Sequence, residues 1–210
     1  MTGYLKLQWL PEVYHFICRN RLLLSLIFSL FTGILVGGIL SRSLRFSESL
    51  DLSSLVQNHF QERAQSGLVL ISLRSFGSAV IYLFSAYLCG LSAWGCIPLY
   101  CIPACKGLGI GAVCGYLYFS QGLYGLAFVL LMVIPVAFLN SLLLVVACGY
   151  ALPFSIKMLS CCLSFPFQQG HAASLRIYHI RFGMFVFIEA IVALLDGLLA
   201  STFIHIFPFT

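Results

Sequence analysis

Residues 22–40 read LLLSLIFSLFTGILVGGIL, nineteen positions without a charged side chain. As an α-helix this run is about 29 Å long, which matches the hydrocarbon thickness of a bilayer. The rest of the chain has the same character. Of its 210 residues, 61% are hydrophobic and 8% charged, whereas soluble domains are about 25% charged. A water-soluble fold of this composition would expose large apolar patches and aggregate. In lipid the same composition is what a spanning segment requires. The expected fold is all-α, a polytopic transmembrane helical bundle of about five spans. The longest polar stretch, roughly thirty residues, leaves no room for a separate soluble domain. The first apolar run lacks a small-residue cleavage site after it, so it is expected to remain as an anchor.

The remaining spans follow from run length. Residues 75–95 form the second and 97–119 the third, the latter with Pro98, Pro103 and Lys106, which predict a kink. Residues 120–122 make a turn. Residues 124–154 are largely apolar, about 46 Å as a helix and too long for one crossing. The fourth span is therefore expected to end near Val146, with 148–167, which carries Pro153, Lys157 and Pro166, interfacial or re-entrant. Residues 182–207 make the last span. Between the first two spans, Leu52, Leu55, Val56 and Phe60 repeat at helical spacing and predict an amphipathic helix. Residues 68–73 are apolar but short, and Arg74 follows, which places them at the interface.

Lys and Arg concentrate on the cytoplasmic side of membrane proteins. The net charge is +5, and its placement between apolar runs reads as topology rather than as a nucleic-acid surface. Residues 1–21 carry Lys6, Arg19 and Arg21 against Glu12, and the 148–181 connection carries Lys157, Arg176 and Arg181 without an acid. Five spans with the N-terminus inside put both on the cytoplasmic side. The expected organisation is then a cytoplasmic segment at 1–21, a first span at 22–40, an extracytoplasmic segment with its amphipathic helix at 41–74, and a bundle at 75–207 that includes a cytoplasmic or interfacial connection at 148–181. The multi-pass chain would lie in the cell membrane.

Two sets of residues stand out within the spans. Gly33 and Gly37, and Gly107, Gly111 and Gly115, recur every four residues on one helix face, the spacing that lets two backbones touch. Helix packing is the simpler account of them, and a channel lining the other, since Gly- and Pro-broken helices also mark transport sites. Lys106, Glu189 and Asp196 are ionisable groups at membrane depth, and Asn140 is the other strongly polar candidate. Such groups face the protein interior and pair there. Glu189 and Asp196 are seven apart and share a face. A buried polar network is the favoured reading, an ion or proton pathway the alternative.

Catalytic chemistry finds little footing. There is no His-Glu-x-x-His run and no phosphate loop. Gly90-Leu91-Ser92-Ala93 is faintly similar to the serine motif of rhomboid proteases, but that chemistry needs a histidine at membrane depth. His15, His59, His171 and His179 fall outside the expected spans, and His205 at the end of one. The nine cysteines form no Cys-x-x-Cys pair and fall mostly in apolar runs, where Cys acts as a small apolar residue. Only the vicinal Cys161 and Cys162 suggest redox chemistry or palmitoylation. No catalytic residue, metal site or cofactor is expected.

The stretch Gly90-Leu91-Ser92-Ala93-Trp94-Gly95-Cys96-Ile97-Pro98-Leu99-Tyr100, followed by Lys106-Gly107 and the spaced Gly111 and Gly115, resembles the stage II sporulation protein M family. Members share a Gly-Leu-Ser-x-x-Gly-x-Pro-like turn and then a Lys-Gly with spaced glycines. Pro135, Asn140 and Leu195-Asp196-Gly197 are also similar in order. The likeness covers 22–207 by layout and is strongest over 90–118. The Cys- and Phe-rich 148–181 connection departs from it. The resemblance implies a non-enzymatic membrane scaffold that anchors or positions peptidoglycan hydrolases for septal wall thinning and engulfment during endospore formation. Its partners would be membrane lipid and those hydrolases, with no nucleic acid. A membrane transport component, such as a permease subunit, is the alternative, and a continuous polar path through the bundle would mark it.

Overall fold

The structure, a computed structural model, describes residues 21–42, 67–163 and 171–203. The amphipathic helix expected within 41–74, the cytoplasmic segment before Arg21 and the link after Leu163 lie outside them. The described residues form α1 (Arg21–Arg42), α2 (Leu68–Leu91), α3 (Cys96–Phe128), a π-helical turn (Val129–Val133), α4 (Ile134–Leu163) and α5 (His171–Phe203), with no strand among them. Five stretches are long and apolar enough to cross a membrane: Arg21–Ser41, Leu68–Leu91, Cys96–Phe119, Ile134–Leu159 and Leu175–Thr202. The chain is an all-α bundle with the makings of a multi-pass membrane protein.

Its outer surface is apolar. Phe28, Phe31, Ile39, Val69, Ile81, Ile97, Phe138 and Phe187 all point outward. A water-facing surface of this kind would associate, whereas lipid tails solvate it. Inside, small residues do much of the packing: Ala79 and Ala86 on α2, Ala147 and Ala151 on α4, Ala193 and Ala200 on α5. Without a hydrophobic force between helices in lipid, association rests on close van der Waals approach, which small side chains allow. α4 is the central helix. It contributes Leu143, Leu144, Val145, Ala147, Cys148, Ala151 and Leu152 to a core that all five helices share. α1 lies along α3, while α2 packs on α4 and α5.

Three boundaries differ from the expected ones. α2 begins at Leu68, so 68–74 joins the second span instead of lying at the interface. Arg74 is exposed, and a long basic side chain near a helix end can reach the headgroups while its stem lies along apolar surface. In the fourth span the apolar excess is discarded at the opposite end from that expected. Gly122 has φ 60° and ψ −131°, a conformation essentially confined to glycine, and the π-helical turn follows it. The crossing helix then starts at Ile134 and runs through Cys148, Ala151, Leu152 and Ser155, which are buried. Residues 148–159 thus belong to the fourth span and are not a re-entrant segment. Finally, α5 starts at His171 rather than 182, because Arg176 and Arg181 are exposed while Tyr178 faces the core. His179 accordingly falls within the fifth apolar stretch, where its Nδ1 donates to the Leu175 carbonyl at 2.7 Å.

Candidate functional site: a glycine seam and a polar node

Gly33 and Gly37 of α1 face the α3 backbone. A Cβ on Gly33 would run into the Ala104 carbonyl oxygen, and one on Gly37 into that of Leu108. The contact is mutual: Gly107 abuts the Leu30 carbonyl, Gly111 that of Ile34, and Gly115 the Ser41 hydroxyl. The two helices therefore meet backbone to backbone over about two turns, as spaced small residues permit. Nothing passes between them, which removes a channel lining from this face. Gly109 points away, with no atom near a Cβ placed there. Hydrogen bonds reinforce the seam: Ser29 Oγ donates to the Tyr100 carbonyl at 2.7 Å and Ser25 Oγ to Tyr100 Oη at 3.2 Å. Pro103 lies just beyond on α3, and a serine from a neighbouring helix is a common partner for backbone that proline disturbs.

Lys106 directly precedes Gly107. One residue is about 100° of helix rotation, so if Gly107 faces α1, Lys106 turns toward the other helices. There it meets Asn140 of α4 and Glu189 of α5, which line one small cavity with Ala79, Tyr82 and Leu83 of α2 and Leu144 of α4. Lys106 and Glu189 attract each other electrostatically, and the Lys106 ammonium sits 4.7 Å from the centre of the Tyr82 ring, a cation–π contact. Glu189 is only 2% exposed, so a partner of opposite charge is what makes its place tolerable. Its position follows from the α5 stripe Tyr178, Phe182, Glu189, Ala193, Asp196 and Ala200, all buried and all on one helical face.

Of the four polar residues singled out in the sequence, three converge and one does not. Asp196 is also buried but is two turns further along α5 and is not among the cavity's lining. Its neighbour Gly197 abuts Ser72 at the start of α2. Tyr82 was not anticipated. The signal was present as its spacing from Ala79 and Ala86, which puts it beside the inward face of α2.

The turn between α2 and α3 uses the serine that resembled a nucleophile. Ser92 caps α2, its amide donating to the Leu88 and Cys89 carbonyls at 3.2 Å. Its own carbonyl accepts from Ser155 Oγ of α4 at 2.8 Å. Gly95 closes the turn where a Cβ would strike the Cys89 carbonyl, and Trp94 projects outward, 82% exposed. Above it, Gly90 makes room for Tyr178, whose hydroxyl donates to the Tyr87 carbonyl at 3.0 Å. Tyr178 stacks on Phe154 at 4.5 Å and leans on Phe182 at 4.7 Å. This aromatic cluster was not read from the sequence, because its members come from three helices. Among the described residues no group of three or more His, Cys, Asp or Glu is arranged to hold a metal ion. The chain matches no family model, no curated protein and no solved structure.

Proposed function

We propose that the chain is a non-enzymatic membrane scaffold that anchors or positions peptidoglycan hydrolases for septal wall thinning and engulfment during endospore formation. The process comes from the sequence resemblance to the stage II sporulation protein M family. The observation that favours a scaffold is what the residues carrying that resemblance do. Gly90 and Gly95 admit neighbouring backbone and side chains, Gly107, Gly111 and Gly115 dock α1, and Lys106 joins the polar node. Each is used to hold helices together. The node itself has about 10 Å³ of space for the centre of a water-sized sphere, far below the few hundred Å³ of an ordinary ligand pocket. That disfavours the transport alternative at this point of the bundle. In this reading the outer face of the bundle, with the segment between α1 and α2 outside, presents the surface that hydrolases engage.

The test is complementation in a spore-forming host that lacks its own family member, with septal thinning followed by electron tomography. The native chain should restore thinning. A chain that reaches the septal membrane intact and leaves the wall thick would overturn the engulfment assignment. Two variants separate scaffold from transporter. Lys106→Met should lose much of the folded protein, since it leaves the Glu189 carboxylate at membrane depth with no opposite charge lining its cavity. Lys106→Met with Glu189→Leu should recover much of the folding and of the thinning. A double variant that is stable and correctly placed but inactive would favour ion movement.

A further inference from the structure

The node contains a polar atom that no group of the described residues satisfies. Asn140 Oδ1 is buried and accepts no hydrogen bond from any described residue, although a buried amide oxygen is normally paired. It lines the same cavity as Lys106 and Glu189. The cavity offers about 10 Å³ to the centre of a water-sized sphere, about the room one water molecule needs.

We propose that this cavity is a binding site for a single structural water, which accepts from the Lys106 ammonium and donates to Asn140 Oδ1 and the Glu189 carboxylate. The chemistry of the lining selects the occupant. A cation would be repelled by Lys106 and an anion by Glu189, so a neutral dipole fits best. A water with one accepting and two donating contacts meets the two to four partners that buried waters have. The Tyr82 ring covers another side of the ammonium, and Ala79, Leu83 and Leu144 add apolar surface to the lining. The water then ties α3, α4 and α5 together, and the ring on α2 completes the clamp. Water-bridged contacts are nearly as favourable as direct ones, which is how a charged pair persists at membrane depth without close approach. This site is independent of the scaffold reading and stands or falls separately from it.

Water-edited solid-state NMR of the full-length chain in lipid bilayers tests it. Polarisation from water protons should reach the Asn140 side-chain amide, assigned by its loss in Asn140→Leu, as rapidly as it reaches hydrated groups. The amide of Ala147, which is 0% exposed, serves as the slow reference. Build-up at Asn140 as slow as at Ala147 would overturn the proposal. Ala79→Val, which adds methyls to the cavity wall, gives a second readout. It should abolish the rapid build-up and lower the thermal unfolding temperature of the native chain. The same substitution should have no such cost in a Lys106→Met, Asn140→Leu, Glu189→Leu background, where the cavity is apolar. An Ala79→Val chain more stable than the native one would mean that the cavity is dry. If Ala79→Val does not fold, the NMR of the native chain decides alone.

Discussion

A single methylene separates tolerated from disallowed at several positions of this protein. Gly111 and Gly109 are two residues apart on α3, on either side of Ile110, with opposite surroundings in space. At Gly111 an added Cβ meets the Ile34 carbonyl, which belongs to helix backbone and has nowhere to go, while at Gly109 it meets nothing. Gly111→Leu should therefore lower stability by roughly 1–3 kcal/mol or more, as overpacking does, and reduce the yield of monodisperse protein in detergent. Gly109→Leu should leave both unchanged, because a leucine there adds to lipid-facing surface. Size-exclusion profiles and thermal aggregation temperatures of the two variants, compared with the native chain, check this. Equal behaviour of the pair would remove the α1–α3 seam as the cause. The sequence displayed all these glycines at once, and their four-residue spacing selected Gly107, Gly111 and Gly115. Spacing alone did not show which backbone carbonyl each one meets.

Among the elements, the break before α4 controls the register of half the bundle. Gly122 adopts a conformation disallowed for side-chain-bearing residues, and the π-helical turn at Val129–Val133 follows seven residues later. Together they decide that Ile134 rather than Tyr124 opens the fourth crossing, and so bring Asn140 to the depth of Lys106 and Glu189. Gly122→Ala should cost about 1–3 kcal/mol, the strain of a non-glycine residue in that region. The loss should appear as a lower thermal unfolding temperature, without any change in helix content by far-ultraviolet circular dichroism. An unaltered unfolding temperature would show that the segment reaches the same register without the strained turn. The turn expected at 120–122 is there, at Gly122, but run length could not reveal that the crossing helix opens only at Ile134. A continuous apolar run longer than the membrane can be trimmed at either end, and glycine and proline are common in membrane helices. Gly149 and Pro153 looked as suitable for an ending as Gly122, yet both lie inside α4.

For the whole molecule, five crossings place the turn holding Trp94 on one side of the membrane and the segment around Leu123 on the other. Lys157, Arg176 and Arg181 lie at the Trp94 end, which the bias of basic residues assigns to the cytoplasm. Trp94 and Leu123 are 82% and 80% exposed, so cysteines there can react. In a chain stripped of reactive native thiols, Leu123→Cys should be labelled by an impermeant maleimide on intact cells. Trp94→Cys should be labelled only after the membrane is opened. The reverse pattern would invert the bundle, and labelling of both from outside would rule out an odd number of crossings between them.

What the amino-acid sequence determined by itself was the solvent and the class of structure. Continuous apolar runs of about twenty residues, with 8% charge overall, select helices in lipid, since backbone polar groups there must be satisfied internally and the strands of a barrel would be shorter and alternate apolar with polar residues. Lys106, Asn140 and Glu189 were also visible as anomalies, because polar groups at membrane depth are costly enough to be rare. Only the tertiary structure decided that these three meet while Asp196 stays apart. Glu189 and Asp196 share a face of α5, and helical periodicity makes them equivalent. What distinguishes them is depth along the bundle: at one level α3 and α4 present Lys106 and Asn140, and two turns away the adjoining Gly197 abuts Ser72 at the start of α2. That depth depends on the register of four helices against one another, which the turn at Gly122 and the backbone contacts of the glycine seam set jointly, and which periodicity within any one helix does not contain.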